Sequence, residues 1–67
     1  MNTAEVKQRM NDLGISPTAM SEELGMDVST YYRKMQKNGD EFSAIDLITI
    51  KRVLQLSDKQ ALDFLLS

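Results

Sequence analysis

Ser29, Tyr32, Arg33 and Gln36 fall at i, i+3, i+4 and i+7, the spacing that lines one side of an α-helix. Every one of them can hydrogen-bond. The planar guanidinium fork of Arg33 matches O6 and N7 of guanine, Gln36 can pair bidentately with adenine, and Ser29 can serve several base edges. Tyr32 has the reach for a phosphate or the flat face of a sugar. Val28, just before the stripe, is balanced between an apolar contact to a thymine methyl and simple packing of a first helical turn. Thr30, Lys34 and Lys37 flank the stripe and suit backbone phosphates, contacts that supply affinity and register but no sequence information.

The chain carries a formal net charge of −2 and a pI near 4.9, so the distribution of charge matters more than its total. Residues 28–37 hold Arg33, Lys34 and Lys37 and no acid, whereas acids are plentiful on both sides of that decade. A charged triplet such as Tyr32-Arg33-Lys34 is often only the solvated side of a helix, but the local absence of acids favours a role in binding.

With no cysteine and no histidine, thiol nucleophiles, imidazole bases, disulfides and ordinary zinc sites are excluded. Asp46, Asp58, Asp63 and the Glu22-Glu23 pair read as caps and exposed helix sides, and the five methionines as gap-filling core. An enzyme, a cofactor, a metal and a small-molecule ligand are therefore not expected. No apolar run is long enough for a membrane span, and Met1 is followed by Asn2, Thr3 and Glu5 rather than by a basic and then apolar leader, which predicts a cytoplasmic protein.

The elements that must position these side chains can be read from caps and periodicity. Sixty-seven residues allow one domain, spanning 1–67, near the lower limit for a self-sufficient core. Asn2 caps a first helix with Val6, Met10 and Leu13 inward, stopped by Gly14. Ser16 and Pro17 open a second, with Met20 and Leu24 inward, ended by Gly25. Asp27 is a good cap for a third helix over Val28–Lys37, with Tyr31 and Met35 as its inner contacts. After the Asn38-Gly39-Asp40 turn, Ser43 and Asp46 have capping-box spacing at the start of a fourth helix running to about Leu54. Its inner stripe is Leu47, Ile50 and Leu54. Ile48 and Val53 widen that arc and predict helix contacts on more than one side. Ser57 and Gln60 repeat the box for a fifth helix lined by Ala61, Leu62, Leu65 and Leu66, with Leu56 placed to staple onto Ala61. The fold class is thus all-α, with five short helices.

Two short helices joined through Gly25, the second capped by Asp27, have the spacing of a helix-turn-helix. The run GISPTAMSEELGMDVSTYYRKMQ resembles the Cro and phage-repressor family of such regulators, with its five-helix, lambda repressor-like domain. NGDEFSAIDLITIKRVLQLSDKQALDFLL is similar to the helix 4 and helix 5 portion of small members from phages and mobile elements, so nearly the whole chain is covered. The resemblance implies a DNA-binding transcriptional regulator whose third helix enters the major groove of an operator. It places Val28, Ser29, Tyr32, Arg33 and Gln36 against bases. Ser16, Thr18, Lys37, Asn38 and Ser43 fall where the family holds phosphates. Two positions depart from the pattern. Ser21 stands where alanine is usual, and Pro17 stands where many members have a phosphate-binding glutamine.

Phe64, Leu65 and Leu66 crowd more apolar bulk at the end of the chain than one buried stripe needs, which makes them candidates for a dimer contact. A homodimer, at least on DNA, suits a module too small for tight specific binding alone. The rival reading is an acidic protein of the same fold that binds a partner protein, such as an antirepressor or adaptor, and leaves DNA alone.

Overall fold

Helices begin in this chain where a side-chain oxygen can take an N–H of the first turn. The computed structural model describes residues 1–66. Among them are five helices and no strand: α1 (Thr3–Leu13), α2 (Pro17–Leu24), α3 (Val28–Gln36), α4 (Ala44–Val53) and α5 (Asp58–Leu65). Asn2 Oδ1 accepts from the Glu5 N–H at 3.2 Å, and Ser16 Oγ from the Ala19 N–H at 3.1 Å. Ser43 with Asp46, and Ser57 with Gln60, form reciprocal boxes at 2.9–3.1 Å. Each such cap is worth about 1 kcal/mol, a sizeable share of the stability of so small a domain.

Asp27 differs from the other caps. It holds the extended cap conformation, but its side chain makes no capping hydrogen bond. The carboxylate stays exposed beside the positive end of α3, where the helix dipole favours it without a bond. At the other end α3 stops at Gln36, one residue short of the sequence expectation, and Lys37 is the cap residue, with φ −95°.

Inward residues from all five helices and their connections meet in one core: Val6, Met10, Met20, Tyr31, Met35, Phe42, Ile50, Leu54, Leu56 and Leu65. α2 packs on both α3 and α4, and α1 packs on α5. Two polar contacts fasten the α1 side. The Asn2 N–H donates to the Phe64 carbonyl at 2.7 Å, joining the start of α1 to the last turn of α5. Arg9 Nε donates to the Leu54 carbonyl at 2.9 Å, a cation against the negative end of α4 just before Gln55 takes a left-handed φ of 55°.

The apolar arc of α4 is narrower than its sequence implies. Ile50 and Leu54 are buried and Leu47 and Val53 half-buried, but Ile48 is 66% exposed, as is Ile45 at 75%. On α5, Leu65 is buried while Leu62 and Leu66 are exposed. The physical reason is that α4 and α5 leave an open apolar groove between them, lined by Ile48, Leu62 and Leu66, instead of closing on one another. No helix among the described residues is long and apolar enough to cross a membrane.

Candidate nucleic-acid interface

The turn between α2 and α3 fixes which side of α3 faces outward. Gly25 sits at φ 69°, a left-handed conformation that costs a side-chain-bearing residue about 1–2 kcal/mol. Its N–H returns to the Glu22 carbonyl at 3.1 Å, and the next N–H, of Met26, to the Ser21 carbonyl at 3.0 Å, closing α2 and redirecting the chain. Ser21 itself is buried, and the polar atom that alanine would lack is satisfied: its Oγ donates to the Thr18 carbonyl at 2.7 Å.

α3 is then held from within by Tyr31 and Met35, both buried. The Tyr31 hydroxyl donates to Met10 Sδ at 3.2 Å, and its ring lies 6.3 Å from that of Phe42, so α1 and the segment after α3 both fix its rotation. Burial, with a smaller push from Tyr32, raises the Tyr31 phenol to about 12, so it remains a neutral donor throughout the ordinary pH range.

With Tyr31 and Met35 inside, helical geometry turns Ser29, Tyr32, Arg33 and Gln36 outward, and all four are exposed, Tyr32 by 51%. Arg33 has no ion pair among the described residues. Its fork and the Gln36 amide are free to hydrogen-bond to something outside the chain.

The flanking residues are more constrained. Val28 and Thr30 are half-buried against the body. Lys34 is turned towards the start of α4, with Nζ 4.0 Å from Asp46 Oδ2 and 5.8 Å from the centre of the Phe42 ring, and its side chain is only 20% exposed. Lys37 is bound by Glu41 at 2.9 Å. That hydrogen bond and the charge of Lys37 hold the Glu41 carboxyl below the usual glutamate range, with Arg33 and Lys34 adding to the effect. Ser16, Thr18, Asn38 and Ser43 are exposed. Ser16 and Ser43 accept cap N–H groups and keep a hydroxyl proton to donate.

Counting charge over residues 28–37 missed these two acids. The signal was available: Lys37 and Glu41 are four residues apart across the Asn38-Gly39 turn, a spacing that brings side chains together when the turn is tight.

The three residues considered for a dimer contact separate. Leu65 is in the chain's own core, Phe64 is half-buried against it, and Leu66 is exposed. Leu66 shares an apolar groove between α4 and α5 with Ile48 and Leu62, and the Lys51–Asp58 ion pair, 2.9 Å, stands beside it. Among the described residues no group of three or more histidine, cysteine, aspartate or glutamate side chains is placed to hold a metal ion. The chain matches no protein-family model, no characterised protein and no solved structure.

Proposed function

We propose that this chain is a sequence-specific, double-stranded DNA-binding transcriptional regulator of the Cro and phage-repressor type. In this reading α2 and α3 are a helix-turn-helix, and α3 lies in the major groove with Ser29, Tyr32, Arg33 and Gln36 towards base edges. The observation that carries it is the outward stripe: four hydrogen-bonding side chains, one of them an arginine without an ion pair among the described residues, on a helix whose opposite side is locked into the core. An α-helix is about 10–12 Å across and the major groove about 12 Å wide, so such a helix can enter. The protein acts by occupying operator DNA and performs no catalysis. A homodimer on the operator belongs to the same reading, since one module of this type covers only about 600–1,000 Å2 of surface. Leu66, with Ile48 and Leu62 beside it, is the apolar surface available to a second copy.

One observation favours a second reading. Two of the three cations of the decade are engaged by acids, Lys37 by Glu41 and Lys34 by Asp46, which suits a protein-binding adaptor of the same fold better than a DNA binder. A gel shift against random duplex at low salt separates the two. The expected result is weak association that disappears as salt is raised, because phosphate neutralisation releases counterions. No association at low salt supports the adaptor.

A further inference from the structure

Between α1 and α3 lies a cleft of about 360 Å3, at the small end of ligand-sized clefts (about 300–1,000 Å3). Ile15 and Pro17 give its partly exposed apolar wall above the buried Met10, Tyr31 and Met35, and Lys7, Tyr32 and Gln36 belong to its polar lining. The chain has ten acidic residues, yet none lines this cleft, and its single cation, Lys7, is exposed and without an ion pair among the described residues. Lys7 thus differs from Lys34 and Lys37, which face carboxylates of their own chain.

We infer that this cleft is a second, backbone-directed part of the DNA surface, with Lys7 of α1 as its phosphate contact; the inference rests on the DNA-binding reading above. Tyr32 and Gln36 belong both to the outward stripe of α3 and to the cleft lining. Because the stripe and the cleft share Tyr32 and Gln36, a strand bordering a major groove that the stripe enters would pass close to the mouth of the cleft. A deoxyribose phosphate has apolar sugar faces and one negative charge, and the cleft offers it an apolar wall, an aromatic edge and one free cation. Lys7 makes a contact that fixes position without reading sequence.

The test is the salt dependence of binding to random duplex and to duplex selected from a random pool by the parent, by fluorescence anisotropy, for the parent, Lys7→Gln, Lys7→Arg and Lys59→Gln. Lys59, an exposed cation on α5, serves as the control. Loss of one phosphate contact lowers the slope of log K against log salt by about 1, with the same fold-loss on both duplexes. That result is expected for Lys7→Gln alone, with Lys7→Arg retaining the parent slope. Parent binding that is salt-sensitive but unchanged in Lys7→Gln overturns the assignment of Lys7 and leaves the DNA-binding reading intact. A parent without salt-sensitive binding overturns both.

Discussion

Arg33 and Lys37 stand one helical turn apart and are not equivalent. Arg33 can offer its fork to a base without giving up an ion pair, whereas Lys37 must exchange Glu41 for a phosphate. In the proposed reading Glu41 would compete with DNA: its carboxyl is held below the usual range by the Lys37 hydrogen bond and stays charged through neutral pH, beside a cation that a phosphate would need. Glu41→Gln is expected to tighten binding to every sequence several-fold and to steepen its salt dependence, measured on random duplex. Equal affinities for variant and parent would place Glu41 away from the DNA path. Lys34 is a weaker phosphate candidate than its sequence position implies, since it turns to Asp46 and the Phe42 ring. A cation's place in sequence gives its charge but not the acid that a later turn brings to it.

At the level of elements, the angle between α2 and α3 depends on Gly25. An added Cβ there would meet nothing within 4 Å, so the whole penalty of Gly25→Ala is the left-handed backbone, about 1–2 kcal/mol. Urea denaturation measures it; an unchanged midpoint would mean that the turn relaxes to another conformation. The helices themselves were legible because their signals are local. Asn2, Ser16, Ser43 and Ser57 each stand one residue before a helix, and Gly14 and Gly25 each stand one residue after one. The outward position of Ser29, Tyr32, Arg33 and Gln36 was legible too, as the complement of Tyr31 and Met35 on one helix. Ile48 and Leu62 were not. Their spacing marks an apolar flank, but only the three-dimensional arrangement shows that both line an open groove between α4 and α5 and stay exposed. The missing Asp27 cap bond belongs to the same class, because residue type supplies the acceptor but not its aim.

For the molecule as a whole, an acidic protein with pI near 4.9 can still bind DNA if its unpaired donors are gathered at one place. Here Ser29, Tyr32, Arg33 and Gln36 line the outer side of α3, and in the proposed reading the exposed aliphatic groove between α4 and α5 would be the separate surface for a twofold partner. Two copies related in that way would present two α3 helices to half-sites about 34–36 Å apart. Selection of bound sites from a random duplex pool, run in parallel with the parent and with Arg33→Ala, bears on this most directly. The expected outcome is a palindromic consensus for the parent, relaxed in Arg33→Ala at one position of each half-site, with a cost of about 1–3 kcal/mol there. A pool that yields no consensus, or a consensus identical for both proteins, would contradict the assignment of α3 as a reader of DNA sequence.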